Sequence, residues 1–319
     1  MTLNRENMGL DYIINLDCLE ALRCLPDNFF DCCITSPPYY GLRDYGEEKQ
    51  IGREKTPMEY INKLIEVFSE VRRVLKKEGT CWIVISDCYA GTRSKGEYKD
   101  PKYKKGRNGQ RNSVTEKLQD YKPKDLMGIP WQLALNLRED GWYLRSDIIW
   151  HKENSMPESA KDRPSRSYEH IFLLTKSRKY YYDYKAVAEP IAESSKKRYL
   201  AARGKDNKYQ NKNIGMKKQN INNPRERGEL TPPDKRNKRD LWTINTTSYR
   251  GEHYAVFPTK LAETCMLAGS PEGGIILDPF MGSGTVGLVA KENNRHYIGI
   301  EINKKYCDLA KERIEKVMR

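Results

Sequence analysis

The sequence predicts an α/β fold with a mostly parallel sheet and helices on both of its faces. Two observations support this class: strand-like and helix-like patterns alternate towards both ends of the chain, and the strand-like patterns are short apolar runs. Such alternation indicates parallel strands joined by helices. A continuous apolar run such as Cys81 to Ile85 suits a strand that helices cover on both faces. The sequence contains no internal repeat, which disfavours a repeat architecture.

The alternation begins in residues 1–176. Short apolar runs there predict strands, and apolar residues three or four positions apart predict helices. Pro26 is expected to end the first helix and Gly79 to stop the second. In chain order, the predictions are strand Tyr12 to Leu16, helix Cys18 to Leu25, strand Cys32 to Thr35, helix Met58 to Leu75, strand Cys81 to Ile85, helix Ile129 to Glu139, strand Trp142 to Trp150 and strand His170 to Thr175.

The alternation resumes in residues 241–319. Pro258 is expected in the first turn of its helix. Backbone N–H groups in that turn have no acceptor within the helix, so the missing N–H of proline costs no hydrogen bond there. The chain ends 18 residues after Glu301, too soon to complete a doubly wound sheet, so N-terminal strands must complete it in a permuted order. The predictions are helix Pro258 to Ala268, strand Ile275 to Leu277, helix Val286 to Asn293, strand His296 to Glu301 and helix Lys304 to Val317.

The net charge of +13 is concentrated in two polar segments. Gly91 to Asp125 carries 11 basic and 5 acidic residues, and Ser177 to Arg239 carries 18 basic and 7 acidic residues, so the remainder has a net charge of −4. Solvated surface loops are one interpretation of these segments. Their presence on an otherwise slightly acidic chain favours a polyanionic partner.

Composition indicates a cytoplasmic protein without a metal site. No apolar run approaches the ~18 residues of a membrane helix, and residues 1–10 lack the layout of a signal peptide. The eight cysteines form no Cys-x-x-Cys pair and are accompanied by only four histidines, which disfavours zinc. Buried, reduced thiols are therefore expected.

A glycine-rich segment, Asp278 to Thr285, lies between a predicted strand and a predicted helix, as in nucleotide-type cofactor sites. Gly282 to Gly287 fits the dinucleotide fingerprint, and Glu301 ends the next strand, where an acid is expected to accept hydrogen bonds from ribose hydroxyls. A carboxylate at Asp278 would repel a pyrophosphate, which disfavours a nicotinamide cofactor and favours a cationic cofactor without phosphates. A tight turn that serves only packing is the other interpretation.

The segment Thr35-Ser36-Pro37-Pro38-Tyr39 places a hydroxyl group, two prolines and an aromatic ring at the end of a predicted strand. The Ser36 hydroxyl and the Pro37 carbonyl are acceptors suited to the two N–H groups of an aromatic amine, and the prolines hold them in place. Tyr39 offers a ring on which an extruded base can stack. A proline-stiffened strand exit with an incidental tyrosine is the other interpretation.

The two motifs and their order resemble the permuted, β-class amino-group DNA methyltransferases, in which the target-amine motif precedes the cofactor motif. The resemblance extends over roughly two thirds of the chain. It implies a Rossmann-like methyltransferase fold that transfers a methyl group from S-adenosylmethionine to the exocyclic amine of a flipped base in double-stranded DNA. The catalytic residues that it implies are Ser36, Pro37, Pro38 and Tyr39.

The same resemblance implies a cofactor site formed from both ends of the chain. An aspartate at the position of Asp17 accepts from the adenine amine of the cofactor in this family, and it can also cap the following helix. Phe257 and Thr259 match, more loosely, the family's segment beside the methionine moiety. The implied cofactor-binding residues are Asp17, Cys18, Thr35, Phe257, Thr259, Asp278, Phe280, Gly282, Ser283, Gly284, Thr285 and Glu301.

The predicted target atom is N4 of cytosine. Serine followed by two prolines and an aromatic residue is more typical of N4-cytosine enzymes in this family, whereas Asp or Asn at the position of Ser36 is more usual for adenine N6. The sequence has no Pro-Cys nucleophile motif, which disfavours methylation of cytosine C5. Adenine N6 methylation stays open as an alternative. A nucleic-acid-binding module with a vestigial cofactor site is the alternative from another class.

The two basic segments fall outside the resemblance, where this family carries its target-recognition region. We expect residues 1–176 and 241–319 to form one catalytic domain, with a basic insertion at 91–125. Residues 177–240 are the expected target-recognition region, in which basic side chains contact phosphates and Asn, Gln, Arg and Tyr reach base edges. A disordered surface insertion is the alternative for that region. Any cognate restriction endonuclease is expected on a separate chain, in a prokaryotic or phage setting.

Overall fold

The computed structural model describes residues 9–42, 46–91, 120–201, 234–246 and 257–317. Its strands are β1 (Tyr12–Ile14), β2 (Phe30–Thr35), β3 (Leu75–Ile85), β4 (Tyr143–His151), β5 (Tyr168–Thr175), β6 (Glu189–Pro190), β7 (Lys235–Arg236), β8 (Leu241–Thr243), β9 (Ile275–Asp278) and β10 (His296–Ile300). Its helices are α1 (Cys18–Cys24), α2 (Pro57–Val74), α3 (Ile129–Glu139), α4 (Glu193–Ala201), α5 (Thr259–Gly269), α6 (Thr285–Glu292) and α7 (Lys304–Val317).

Eight of the strands form one sheet in the order β1-β10-β9-β2-β3-β5-β4-β8. Neighbouring strands are parallel except where β5 runs antiparallel to β3 and to β4. Because β2 pairs with β9, in the register Cys33↔Leu277, strands from the two ends of the chain lie side by side. The mostly parallel sheet confirms the predicted fold class, and its strand order confirms the permutation.

Helices cover both faces of the sheet. Successive residues of a strand face opposite sides, and Cys33 belongs to the apolar core that β2 shares with α1, α2 and α3. Its neighbour Cys32 faces α5, where a Cβ on Gly269 would lie 3.2 Å from the Cys32 sulfur and 2.4 Å from Trp82 Nε1. Only glycine therefore lets α5 approach the sheet this closely. The helix α6 contacts both α5 and α7 on that side.

The second helix ends earlier than the sequence indicates. Leu75 follows α2 with an extended backbone (ψ 142°) and pairs with Phe30 of β2. Gly79 consequently lies inside β3, where the register with β2 shifts, and the prediction that Gly79 stops the helix is wrong. Pairing across the sheet overrides the helical pattern at this point.

The other predicted elements are all present, and α3 and α7 have their predicted bounds. The structure adds four short elements that the sequence pattern did not indicate, namely α4, β6, β7 and β8. Of these, β8 extends the large sheet, since it pairs in parallel with β4 and places Trp242 beside Trp150.

The chain divides into two compact units, which are Met1–Asp183 with Arg239–Arg319, and Tyr184–Lys238. The first contains the large sheet. In the second, β6 pairs antiparallel with β7, and Arg236 Nε donates a 3.0 Å hydrogen bond to Glu189 Oε1. Most of each predicted basic segment, residues 92–119 and 202–233, lies outside the described residues, so the insertion and the target-recognition region stay predictions.

All eight cysteines are free thiols and six of them are buried, in keeping with the reduced state expected from composition. In the described part of the chain, no helix is long and apolar enough to cross a membrane. Over the same residues, no group of three or more His, Cys, Asp or Glu side chains is placed to hold a metal ion.

Candidate active site

The carboxyl ends of β2 and β9 bring the two sequence motifs together. These strands are parallel neighbours, so the residues that follow them emerge at the same edge of the sheet. The Thr35 hydroxyl at the end of β2 donates a 2.7 Å hydrogen bond to Oδ1 of Asp278 at the end of β9. Both side chains are buried. The segment Thr35 to Tyr39, which we call the target-amine motif, and the segment Asp278 to Thr285, which we call the cofactor loop, therefore meet in one site.

Asp278 carries a buried carboxyl group that forms no ion pair with a described residue. Its Oδ1 accepts hydrogen bonds from Thr35 and from the Phe280 N–H (3.0 Å), whereas no described donor reaches Oδ2. Burial raises the pKa of Asp278 to about 7, and the two hydrogen bonds oppose this only in part. A cationic ligand group at Oδ2 would stabilise the ionised form. The site therefore fits an ammonium-bearing cofactor and disfavours a pyrophosphate.

Glu301 ties the cofactor loop to the end of β10. Its Oε2 accepts from the Gly282 N–H at 2.9 Å, and its Oε1 accepts from the Asn303 N–H at 2.8 Å. Burial raises the pKa of Glu301, while the two N–H donors act in the opposite direction. Because each carboxylate oxygen has two lone pairs, both oxygens can accept a further hydrogen bond from a ligand hydroxyl. The carboxylate therefore has acceptor capacity left for the predicted contact with ribose, which stays a prediction.

The cofactor loop packs tightly against α7. Gly284 has a φ of 81°, and a Cβ there would lie 2.8 Å from Ala310 Cβ, so glycine is required. Arg313 of α7 donates to the Ser283 carbonyl (3.2 Å), the Ser283 hydroxyl (3.1 Å) and the Thr285 hydroxyl (3.0 Å). The buried hydroxyls of Ser283 and Thr285 therefore hold the loop in shape, and cofactor contacts by these residues stay predictions. Arg313 belongs to no motif, so sequence reasoning missed it.

Asp17 follows β1 and caps α1. Its Oδ1 accepts from the N–H groups of Leu19 (3.0 Å) and Glu20 (3.1 Å), so the capping role is present. No described donor reaches its Oδ2, which leaves an acceptor for the predicted adenine contact. Cys18 is buried beside it, and burial raises the pKa of the Cys18 thiol, which keeps the thiol neutral.

Phe257 and Thr259 lie at the start of α5, on either side of its N-cap Pro258. The other end of α5, at Gly269, packs against Cys32 in the amino-terminal half of β2. An 11-residue helix spans about 16 Å, so the start of α5 lies about that far from Gly269. Phe257 is half-buried and Thr259 is exposed. In the cofactor loop, Phe280 is half-buried and packs against the apolar core.

Two contacts lock the backbone of the target-amine motif. The Tyr60 hydroxyl of α2 donates a 2.9 Å hydrogen bond to the Pro38 carbonyl. Gly52 has a φ of 100°, and a Cβ there would lie 3.0 Å from the Tyr39 carbonyl oxygen. In contrast to Pro38, the Pro37 carbonyl receives no hydrogen bond from a described residue. This oxygen can therefore accept a hydrogen bond from a ligand amine.

Two charged residues that the sequence analysis did not single out, Glu169 and Lys152, lie beside the target-amine motif. The Ser36 hydroxyl donates to the Tyr39 hydroxyl at 3.4 Å, and the Tyr39 hydroxyl donates to Glu169 Oε2 at 2.6 Å. Lys152 Nζ forms an ion pair with Glu169 Oε1. Because β5 is antiparallel to β4, Glu169 near its start lies at the edge where β4 ends. The available signal in the sequence was a glutamate near the start of β5, just ahead of the apolar run Ile171 to Leu174.

Comparison with known proteins identifies the family of this chain. A model of a family described as DNA methylase matches residues 30–312. The Type II methyltransferase M.SmaI of Serratia marcescens is 45% identical over 309 residues, covering 97% of this chain and 92% of that protein. The solved structure of the PvuII DNA methyltransferase, described as cytosine-N4-specific, has a TM-score of 0.61 and 17% identity, covering 98% of this chain and 93% of that one. A putative DNA modification methylase of Thermus thermophilus, solved with S-adenosyl-L-methionine, has a TM-score of 0.58 and 20% identity, covering 96% and 93%.

The two structural similarities support the fold, and the family match and the identity to M.SmaI confirm the resemblance inferred from the motifs. They also confirm S-adenosylmethionine as the cofactor, because enzymes of this family use it as their methyl donor. The chain therefore belongs to the DNA methylase family, whose members are the N6-adenine and N4-cytosine amino-methyltransferases.

Proposed function

We propose that this DNA methyltransferase modifies N4 of cytosine at specific sites in double-stranded DNA, acting on a base flipped out of the duplex. The observation that carries the proposal is the acceptor pair after β2, formed by the Ser36 hydroxyl and by the Pro37 carbonyl, which no described residue hydrogen-bonds. Serine at this position is more typical of N4-cytosine enzymes in the family. Adenine N6 methylation by the same acceptor pair is the alternative.

The acceptor pair acts on the lone pair of the target amine. In an aromatic amine this lone pair is delocalised into the ring, which makes the nitrogen a weak nucleophile. Hydrogen bonds from its two N–H groups to Ser36 and Pro37 strengthen as the nitrogen becomes pyramidal, so they stabilise the transition state more than the ground state. Since Tyr60 and Gly52 already hold this backbone, the acceptors need little reorganisation.

Three carboxylates are assigned to the cofactor. Oδ2 of Asp278 holds the ammonium group, Glu301 accepts from the ribose hydroxyls and Oδ2 of Asp17 accepts from the adenine amine. When bound, S-adenosylmethionine would supply the methyl group of its sulfonium: an N–C bond would form, the S–C bond would break to leave a neutral thioether, and the amine proton would pass to solvent. No nucleophilic side chain is required, because the amine attacks the methyl carbon directly.

The basic segments supply the contact with DNA in this proposal. Their net charges, +6 for Gly91 to Asp125 and +11 for Ser177 to Arg239, suit a phosphate backbone. Residues 177–240 are assigned to recognition of the target sequence. The similarity to M.SmaI, named a Type II methyltransferase, supports a role as the modification enzyme of a restriction–modification pair whose endonuclease is a separate chain.

The test is mass spectrometry of nucleosides from unmethylated duplex DNA treated with the protein and S-adenosylmethionine. The expected product is N4-methyldeoxycytidine at one recurring sequence, which sequencing of the modified positions would identify. N6-methyldeoxyadenosine would instead establish the alternative target. Protein that binds both DNA and cofactor but forms no methylated nucleoside would favour a nucleic-acid-binding module with a vestigial cofactor site. The intact Asp278 to Thr285 loop argues against that module, since a binder needs no methyl donor.

A further inference from the structure

We propose that Glu169 and Lys152 are positioning residues that fix, through Tyr39, the direction in which the Ser36 hydroxyl points its proton. The proposal rests on the proposed function, because it requires the Ser36 oxygen to accept a hydrogen bond from the target amine. It adds residues from β5 and from the end of β4 to a candidate site otherwise formed by residues that follow β1, β2, β9 and β10 and by the start of α5.

The chain of contacts begins at a shielded ion pair. Lys152 and Glu169 expose only 16% and 14% of their side chains, so solvent competes weakly for their charges. Lys152 Nζ also lies 4.0 Å from the centre of the Trp150 ring, which holds it at this place. An ammonium group donates and never accepts, so it fixes the nearer oxygen of Glu169 as an acceptor.

The next contact sets the direction of the Tyr39 hydroxyl. An ionised carboxylate has no proton to give, so in the 2.6 Å contact with Glu169 Oε2 the Tyr39 hydroxyl must donate. Burial, followed by the charge of Glu169, raises the pKa of Tyr39 well above its ordinary value, which keeps the phenol protonated. With its proton committed to Glu169, the Tyr39 oxygen is available only as an acceptor. It accepts from the Ser36 hydroxyl at 3.4 Å.

The direction of the Ser36 proton decides what the target amine meets. A serine hydroxyl can donate or accept, and a proton turned towards the amine would repel the N–H that has to be bound. When the proton points to Tyr39, the lone pairs of Ser36 are left for the amine. The ion pair thus preorganises a neutral acceptor, and the polarised chain strengthens it, since linked hydrogen bonds reinforce one another.

The first test is Glu169→Gln. Lys152 can only donate, so the amide must turn its oxygen to Lys152 and its NH₂ group to Tyr39. Tyr39 then accepts from the amide and points its proton at Ser36, which reverses the chain. The expected result is a single-turnover methylation rate about 10- to 100-fold lower, with unchanged affinity for cofactor and DNA. A wild-type rate for this variant would overturn the proposal.

The second test is rescue by Lys152→Met in the Glu169→Gln background. Without the ammonium group, the amide can rotate its oxygen to Tyr39, so the original direction of the chain returns. The double variant is expected to methylate about 10-fold faster than Glu169→Gln alone. A purely structural role of the pair predicts further loss in the double variant, and that result would contradict the proposal. The exposed pair Glu312 and Lys316, changed in the same way, serves as the control that shows no such rescue.

The third test separates the hydroxyl of Tyr39 from its ring. Tyr39→Phe keeps the stacking surface but removes the link between Glu169 and Ser36. The rate is expected to fall about as far as in Glu169→Gln, while 2-aminopurine fluorescence at the target reports normal base extrusion. A Tyr39→Phe enzyme with the wild-type rate would show that the Tyr39 hydroxyl does not orient the Ser36 proton.

The identity of the methylated nucleoside is read from the same reactions and tests the proposed function separately. If the wild-type product is N6-methyldeoxyadenosine, the cytosine assignment fails, whereas the order of rates among the variants still decides the role of Glu169 and Lys152. If the methylation rates of the variants rank as expected and N4-methyldeoxycytidine is formed, both proposals hold.

Discussion

The hydroxyl of Thr35 donates its proton to Oδ1 of Asp278 across 2.7 Å, joining residues that are 243 positions apart in the chain. Thr35 is fully buried, and its hydroxyl orients the Asp278 carboxyl group, while its predicted contact with the cofactor stays a prediction. The bond links the strand that carries the target-amine motif to the strand that carries the cofactor loop. It also leaves Oδ2 of Asp278 as the oxygen that faces a ligand.

Asp278→Asn is expected to stabilise the fold without cofactor at about pH 8 and to weaken cofactor binding. The pKa of Asp278 is raised from 3.8 to about 7, so between these values the native state binds more protons than the unfolded state and stability falls as pH rises. Above about pH 7 the full cost, up to about 4 kcal/mol, is present, and asparagine avoids it. Urea unfolding at about pH 8 and pH 4 measures this, because the gain should nearly vanish at the lower pH. An equal gain at both pH values would contradict the assignment.

Cofactor affinity is expected to depend on pH through the same group. The ammonium group of the cofactor needs an ionised Asp278, so affinity should fall about 10-fold per pH unit below about pH 7. The α-amino group of the ligand loses its proton near pH 8, so affinity should peak between these two values. Calorimetric titration across this range gives the profile. Asp278→Asn should be nearly flat below pH 7, and a flat wild-type profile would rule out the ionic contact.

Glu301→Gln is expected to lower cofactor affinity about 10- to 100-fold while DNA affinity is unchanged. Glutamine has one acceptor oxygen, so it loses either the Gly282 or the Asn303 contact and disturbs the glycine loop. Equilibrium dialysis measures the effect. Glu47→Gln is the matched control, because glutamine can still accept from Asn303 Nδ2 as Glu47 does at 3.0 Å. Unchanged cofactor affinity in Glu301→Gln would remove this residue from the site.

Ser36→Ala is expected to lower turnover by about 10- to 100-fold with little effect on the affinity for cofactor or duplex. The lost hydrogen bond acts mainly in the transition state, so the change appears in kcat and not in KM. Single-turnover kinetics with saturating cofactor measure it. The matched control is Ser69→Ala on α2, where the hydroxyl bonds Asp140 at the exposed surface. A normal kcat for Ser36→Ala would exclude this motif from the catalytic centre.

Replacing residues 184–238 with a flexible linker is expected to abolish sequence selectivity while cofactor binding survives. Tyr184–Lys238 is a compact unit of its own, and it contains most of the more basic segment. The affinity of the intact protein for DNA should fall steeply with salt, and the linker variant should show a shallower slope because it neutralises fewer phosphates. Methylation of the same sequence by the linker variant would locate recognition elsewhere, with Gly91 to Asp125 the next segment to change.

Sequence patterns were sufficient for elements whose boundaries are set locally. Gly128 and Pro130 mark the start of α3, and the apolar spacing within α7 defines its one buried face, so both were predicted with their observed bounds. The end of α2 was missed because the pairing of Leu75 with Phe30, a contact across the sheet, decides it. Because Phe30 and Leu75 are far apart in the sequence, their pairing leaves no local periodic pattern from which the end of the helix could be predicted.

The same reasoning applies to the site. The two motifs were visible because each is contiguous and carries its own chemistry. The link from Tyr39 to Glu169 spans 130 positions and exists only because the strand order places β5 two strands from β2. Arg313 likewise acquires its role from the packing of α7 on the glycine loop. Contacts of this kind follow from the assembled sheet rather than from local sequence.

The place of β1 at the edge of the sheet determines how late this part of the sheet can form during synthesis. Its only partner in the described sheet is β10, with Tyr12 opposite Ile298, so β1 cannot pair until synthesis has continued for another 286 residues. Pairing over such a separation is entropically slow, and until it occurs the apolar edge of β1 is exposed to chaperones and to other chains. Asp17 and Glu301, which follow these two strands, consequently reach their positions together and late, so we expect a chain that has not yet formed β10 to lack the predicted cofactor site.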